Sequence, residues 1–133
     1  MRPQEAHVNI PRDVKYTKSH EWVRLDGNVA TVGITDFAQS ELGDVVFVEL
    51  PAPGRALQVD ESFGSVESVK TVSDVYAPVA GQVVEVNPSL AARSELINSE
   101  PYGDGWLIKI EVSDPSQLDT LMDADTYKAT IGQ

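Results

Sequence analysis

Apolar residues in this chain come in short runs, rich in Val and set apart by Gly, Pro and Asp, with helix signals at only a few places. Such runs suit a pleated, half-buried surface. Strands are expected over residues 15–19, 21–25 and 29–34, with Asp26-Gly27 turning the chain between the second and third. Thr35-Asp36 then reads as a helix start. Thr35 offers an N-cap oxygen, Asp36 suits the positive helix end, and Gly43 stops the helix. Residues 45–50 resume a strand, which Pro51-Ala52-Pro53-Gly54 ends because proline cannot donate to a ladder. Further strands are expected at 62–69, 71–76, 82–86 and 105–112, with a helical turn near 89–93. Near the end, Asp114-Pro115-Ser116-Gln117 supplies an N-cap, a proline at the first helical position and a glutamine placed for a capping box. Asp123 offers a second start, so two short helices, 116–121 and 124–130, are expected to cover a sheet face.

Length and composition narrow the class. A chain of 133 residues fits one domain that buries roughly two thirds of its unfolded surface without a disulfide or metal staple. No interdomain linker interrupts it, so the domain is read as 1–133, with 1–14 a flexible lead-in and 114–131 a C-terminal helical extension. There is no Cys, which removes disulfides, thiolate nucleophiles and Cys-ligated zinc together; thiol chemistry would have to come from an attached group. The longest apolar run, 45–48, is too short to cross a bilayer, and residues 1–20 lack the apolar core of a signal peptide. A cytoplasmic protein without a membrane partner is the expectation.

Charge excludes another class. With 21 acidic against 10 basic residues, the net charge of −11 opposes binding to phosphate backbones, so no nucleic-acid partner is expected. The distribution is uneven: Arg55 is the only basic residue between Arg24 and Lys70, and Arg93 the only one between Lys70 and Lys109. A modifying enzyme reaching Lys70 therefore meets few rival amines nearby in sequence, and the acidic surface can steer the chain toward basic docking sites.

Lys70 stands in Glu67-Ser68-Val69-Lys70-Thr71-Val72-Ser73-Asp74-Val75-Tyr76, followed by Ala77-Pro78-Val79-Ala80-Gly81. Taken alone, a lysine in a turn is a solvated charge. Here two β-prone runs flank it, which places it at a hairpin tip, although no Asn-Gly or Gly-Gly marks the turn. Val69 and Lys70, or Lys70 and Thr71, serve equally as the central pair.

The string resembles the lipoyl-lysine hairpin of the H-proteins of the glycine cleavage system. The resemblance runs from Tyr16 to Tyr127 in ordered blocks: Ser19-His20-Glu21-Trp22-Val23, Val32-Gly33-Ile34-Thr35-Asp36 and Leu42-Gly43-Asp44-Val45-Val46-Phe47-Val48 come before the hairpin. Gly64-Ser65-Val66-Glu67-Ser68-Val69-Lys70, Ala77-Pro78-Val79-Ala80-Gly81 and Ile97-Asn98-Ser99-Glu100-Pro101-Tyr102-Gly103-Asp104-Gly105-Trp106-Leu107 complete the set. Other lipoyl and biotinyl carriers share only the hairpin. The resemblance implies a mainly β fold of the lipoyl/biotinyl-carrier type, a hammerhead-like sandwich or barrel with short helices and the C-terminal helical extension.

It also implies a role for Lys70 as the attachment point of lipoic acid, held as lipoyl-lysine, in a carrier that is not itself an enzyme. In that family's cycle a pyridoxal-phosphate glycine decarboxylase, the P-protein, passes an aminomethyl group to the arm. The T-protein then moves the carbon to tetrahydrofolate, and the L-protein, a dihydrolipoamide dehydrogenase using FAD and NAD, reoxidises the arm. A protruding turn suits such work, because the tether enters another enzyme's pocket while paired strands hold its base. By the same resemblance Glu67 and Gly81 sit at the offsets read by the lipoate-attaching enzyme. Ser19, Glu21 and Asp74 match positions lining a cleft for the aminomethyl-loaded arm, where carboxylates and a hydroxyl hold a cationic amine.

The residues read without the resemblance give plainer roles. Gly81 is then a turn glycine after Pro78, Glu67 a solvated strand carboxylate, Glu21 and Asp74 exposed acids, and Ser19 a turn residue. His20, next to Glu21 on an expected strand, points to the opposite face and reads as structural. Two positions depart from the family: Phe37 stands where many members carry His, and Thr71-Val72 where small Ala residues are frequent.

A biotin carrier would show Met on both sides of its lysine, where this chain has Val69 and Thr71. A lipoyl domain of a 2-oxoacid dehydrogenase would carry an acid directly before the lysine and be followed by a linker and an acyltransferase domain. A small hydrolase pairing Glu21 with Asp74 lacks a motif for a nucleophile or a metal. An H-like protein that hands lipoate on to other carriers is compatible with the same sequence.

Overall fold

The computed structural model describes residues 8–132. Among these residues nine strands form two antiparallel sheets. They are β1 (Lys15–Tyr16), β2 (Glu21–Asp26), β3 (Val29–Ile34), β4 (Val45–Glu49), β5 (Ala56–Leu57), β6 (Ser62–Ser68), β7 (Val72–Tyr76), β8 (Gly81–Val86) and β9 (Ile108–Val112). The larger sheet has the order β1-β2-β3-β9-β8-β5 and the smaller β4-β6-β7. Both keep free edges, so the architecture is two open sheets and not a closed barrel, which decides between the two forms the sequence allowed.

Between the sheets lies a core of Val, Leu and Ile from nearly every strand, with Phe63, Val66 and Val75 from the smaller sheet against Val32, Ile108 and Ile110 from the larger. A second cluster, Val14, Tyr16, Trp22, Ala124 and Tyr127, lies on the C-terminal side, where the rings of Tyr16 and Tyr127 stack at 4.5 Å. Burial of such large rings contributes through both area and ring geometry.

The helices follow their caps. In α1 (Asp36–Leu42) Thr35 Oγ1 accepts from Ala38 N–H, and Gly43 at φ +81° ends the helix by donating to Gln39 O. In α3 (Ala124–Thr130) Asp123 accepts from Thr126 N–H. Residues Pro115–Thr120 form a 3-10 turn instead of an α-helix, and the expected capping box is not made: Gln117 Oε1 instead accepts from Ala80 N–H at 2.8 Å, tying this turn to the start of β8. Helix α2 (Leu96–Ser99) was not expected, and neither was β5. The last strand starts at Ile108, because residues 101–105 are turned, with Gly105 N–H donating to Glu100 O, and Trp106-Leu107 only leads out of that turn.

Of the lead-in read as flexible, residues 1–7 lie outside the described residues. Residues 8–14 are tied down: Asn9 N–H donates to Asp36 Oδ2, Asn9 O accepts from Tyr102, Pro11 O accepts from Tyr16, and Val14 is buried. Asp36 and Tyr102, far along the chain, supply the anchors of Asn9, so local sequence carried no sign of those.

Candidate functional site

The hairpin β6–β7 pairs as far as Glu67 opposite Val72, and Ser68 N–H donates to Thr71 O at 2.8 Å. Val69 and Lys70 are therefore the two residues of the loop. Neither has a positive φ, so the turn needs no glycine, which explains why the usual hairpin dipeptides are missing. The backbone is held by a side chain instead: Ser68 Oγ accepts from Lys70 N–H at 3.3 Å and Thr71 N–H at 3.1 Å, and donates to Thr71 O. Val69 N–H donates to Asp44 O at 3.0 Å, which fastens the tip to the segment leaving α1. Lys70 itself is exposed, and its Cε passes near Gly43, where an added Cβ would stand 3.5 Å from it.

Beside the tip runs a cleft of about 400 Å³ between the free edge of β7 and the start of β2 with α1. Thr71 and Val72, directly after Lys70, line one wall, and Phe37, Ala38 and Leu42 of α1 the other. The cleft brings together the three residues that the resemblance grouped, Ser19, Glu21 and Asp74. They differ in kind. Asp74 and Ser19 are exposed, whereas Glu21 is 1% exposed, which corrects its reading as a solvated acid. Its Oε1 accepts from Thr17 Oγ1 at 2.6 Å and Ser19 Oγ at 2.7 Å, and its Oε2 from Tyr76 N–H at 3.1 Å. Glu21 thus bridges the larger sheet and the free edge of β7. Burial pushes its pKa up, against hydrogen bonds from Thr17, Ser19 and Tyr76 that pull it down.

His20 also faces this cleft, contrary to the expectation from strand alternation. It precedes β2 and takes φ +73°, a left-handed conformation uncommon outside glycine, so the two-residue alternation does not apply. Its ring packs against Phe37 at 5.1 Å and its Nδ1 meets Tyr127 Oη at 2.9 Å. Phe37 of α1 and His20 of the segment before β2 thus line the cleft together.

A family model described as "Glycine cleavage H-protein" matches residues 14–133. The chain belongs to the glycine cleavage H-protein family. A glycine cleavage system H protein of Symbiobacterium thermophilum is 60% identical over 122 residues, covering 92% of this chain and 95% of the relative. One from Bacteroides fragilis is 55% identical over 124 residues, covering 93% and 98%. The crystal structure of a glycine cleavage system H protein from Mycobacterium marinum superposes with a TM-score of 0.86 at 41% identity, covering 93% of this chain and all of that one. The general role of the H-protein family, a lipoyl carrier of the glycine cleavage system, comes with membership.

Two other positions singled out by the H-protein resemblance lie apart from the cleft lining. Glu67 is exposed on β6, opposite Phe47 on one side and Val72 on the other. Gly81 opens β8 in the larger sheet, where an added Cβ would stand 2.1 Å from Glu111 O and 2.6 Å from Ile110 Cγ2. Close packing of β8 on β9 is therefore sufficient reason for glycine there. Among the described residues no group of three or more His, Asp or Glu is placed to hold a metal ion, and no helix is long and apolar enough to cross a membrane.

Proposed function

We propose that this chain is the lipoyl-carrying shuttle of a glycine cleavage system, with the arm attached through an amide to Lys70 Nζ. The observation that carries the reading is the position of Lys70: an exposed amine in a two-residue loop, backed by paired strands and opening directly onto a cleft. The residues fit the group. No acid pairs with Lys70 among the described residues, and the adjoining cleft combines apolar walls from Ile34, Phe37, Leu42, Val66 and Val75 with carboxylates at Glu21, Glu41 and Asp74. A long aliphatic tether suits the first and a cationic amine the second. When bound, the lipoyl group supplies a dithiolane that takes up the aminomethyl group of glycine at the P-protein, yields it at the T-protein and passes electrons to the L-protein.

The protein's own residues then have distinct work. The rigid hairpin presents Lys70 to a lipoate-attaching enzyme, with Glu67 on the adjacent strand as a recognition carboxylate and Gly81 as a second recognised position. Ser19 and Asp74 offer the cleft a hydroxyl and a solvated carboxylate, while Glu21, buried and fully bonded, fixes the distance between the β7 edge and β2 and adds negative potential from below. The polypeptide acts as carrier and not as catalyst. Intact mass after incubation with a lipoate-attaching enzyme tests this. One lipoyl amide on Lys70 is expected, and the loaded chain should restore glycine-bicarbonate carbon exchange with the P-protein. Modification at Lys109 instead, or none where another H-protein is modified, overturns the reading.

A further inference from the structure

A chain of hydrogen bonds leads from α1 through α3 to the cleft. Thr35 Oγ1 accepts from Ala38 N–H at 3.1 Å, Thr35 Oγ1 and Tyr127 Oη are 2.7 Å apart, and Tyr127 Oη lies 2.9 Å from His20 Nδ1. Thr35 and Tyr127 are both fully buried, so neither hydroxyl has recourse to water. Their hydrogens can run in two directions. If His20 Nδ1–H donated to Tyr127, either the Thr35 hydrogen (with Tyr127 donating to Thr35) or the Tyr127 hydrogen (with both neighbours donating to it) would have no acceptor among the described residues, a costly defect in a buried group. If Thr35 donates to Tyr127 and Tyr127 to His20 Nδ1, every hydroxyl is satisfied. The N-cap of α1 thereby fixes the tautomer of a histidine far away in sequence: Nδ1 is the acceptor and the hydrogen of the neutral ring sits on Nε2.

That Nε2 has no partner among the described residues, and the ring lines the cleft. The other ionisable groups there, Glu21, Glu41 and Asp74, act as acceptors when ionised, and the Ser19 hydroxyl is donated to Glu21. A ring N–H of fixed direction complements these acceptors. The backbone of His20 is held at φ +73° with its carbonyl accepting from Thr35 N–H at 3.0 Å, so both ring and main chain are clamped by the same threonine. Burial lowers the pKa of His20 and pushes that of Tyr127 up to about 12, consistent with a neutral imidazole taking a proton-bearing phenol as donor.

We propose that His20 is a binding residue of the cleft, whose Nε2–H, oriented by the Thr35–Tyr127 relay, donates to an acceptor atom of the aminomethyl-loaded lipoyl arm, a sulfur or the amide oxygen. This rests on the reading that Lys70 carries that arm. The arm's cationic amine then turns to the carboxylates while its acceptor meets the imidazole, so the cleft reads both polarities of one ligand. Thr35 and Tyr127 are positioning residues that act through His20.

The test begins with apoprotein, where long-range ¹H–¹⁵N correlation spectra at about pH 8 report which nitrogen of neutral His20 bears the hydrogen. The Nε2–H form is expected, and Tyr127→Phe, which removes the donor to Nδ1, should mix the two forms. An Nδ1–H tautomer in the parent overturns the proposal and leaves the carrier reading intact; the parent spectrum decides even if the variant fails to fold. Holoprotein loaded with glycine by the P-protein should then show a displaced His20 Nε2 resonance. His20→Phe, which keeps a ring against Phe37, should release ammonia from the loaded protein about fivefold faster without T-protein, as loss of one hydrogen bond implies. Equal release rates, or an unmoved resonance on chain shown by mass to be fully lipoylated, also overturn it. Absence of lipoylation on Lys70 instead overturns the carrier reading, and this inference falls with it.

Discussion

Around Lys70 the side chains of Val69 and Thr71 face water, and the loop rests on the buried Ser68, through its Oγ and its N–H to Thr71 O, and on a bond from Val69 to Asp44 O. Beside and beneath the same cleft, Glu21, Thr35 and Tyr127 are buried, and each of their side-chain oxygens has a hydrogen-bond partner. The two regions divide the demands of carrying a tethered group. An amine that several proteins must reach has to be held by local bonds that leave its side chain free, whereas a surface that shelters the end of the tether has to keep its shape when it is empty. Substitutions at the tip should therefore change what is attached and how fast, with little effect on folding. Substitutions on the cleft floor should change folding first.

The largest expected effect breaks that division at its functional end. Lys70→Arg keeps the positive charge but offers a guanidinium that is not acylated in the same way. Intact mass after incubation with a lipoate-attaching enzyme should show no gain at all, while the unfolding free energy stays within about 0.5 kcal/mol of the parent, as for other exposed changes. A full lipoyl gain on the variant would mean that another lysine is the site.

Next in size is Glu21→Ala, which strips partners from Thr17, Ser19 and the Tyr76 N–H at once. A loss of about 3 kcal/mol is expected from the unsatisfied buried groups. Glu21→Gln should cost less and carries a pH signature. Because burial raises the Glu21 pKa, the folded state binds its proton more tightly than the unfolded chain. This carboxyl therefore lowers stability as pH rises from the ordinary carboxylate range through its raised value. Glutamine does not titrate. Denaturant melts of parent and Glu21→Gln at a series of pH values should show the parent gaining ground on the variant as pH falls through that window. A constant difference, or one of opposite sign, would show that the carboxylate is not strained by burial.

How far the sequence spoke for the two regions follows from where their causes lie. Helices α1 and α3 announce themselves because Thr35 and Asp123 lie immediately before the backbone they cap, and β3 because it alternates between two turn signals. Strand β5 and helix α2 are too short to set up a period, and Glu95, at the N-cap position of α2, makes no side-chain capping bond. The tip was legible as a hairpin but not its loop register, since a serine side chain, not a turn dipeptide, defines it. The cleft floor was least legible. His20 reaches Tyr127 across 107 residues, and Glu21 is buried by β7 from the other sheet, so neither the burial of one nor the orientation of the other has a local trace.

Ser68→Ala sharpens the comparison from the tip side. Its hydroxyl replaces the glycine that other hairpins use, taking the N–H groups of Lys70 and Thr71. About 1 kcal/mol of stability should be lost, the worth of a typical hydrogen bond, with a loop that samples more conformations. The lipoylation rate should fall although Lys70 is untouched. Thermal melts and initial rates of lipoate attachment check both. A large stability loss with an unchanged rate would place Ser68 with the core and leave presentation of the lysine to β6 and β7 alone.

The smallest effect on stability is expected at Glu67. It stands exposed on β6, between Phe47 of β4 and Val72 of β7 across the sheet, with no ion-pair partner among the described residues. Its replacement by Ala removes a solvated charge from a sheet already rich in acids, so unfolding should shift by no more than about 0.5 kcal/mol. A structural role would leave lipoylation equally unmoved. Recognition would not: the attaching enzyme meets this carboxylate beside the amine it acylates, and losing a charge-assisted contact should slow attachment about tenfold at low salt and less as salt screens the parent's advantage. Initial rates for parent and Glu67→Ala at two ionic strengths separate the outcomes. Equal rates at both would remove Glu67 from the recognised surface and leave the shape of the hairpin as the signal the enzyme reads.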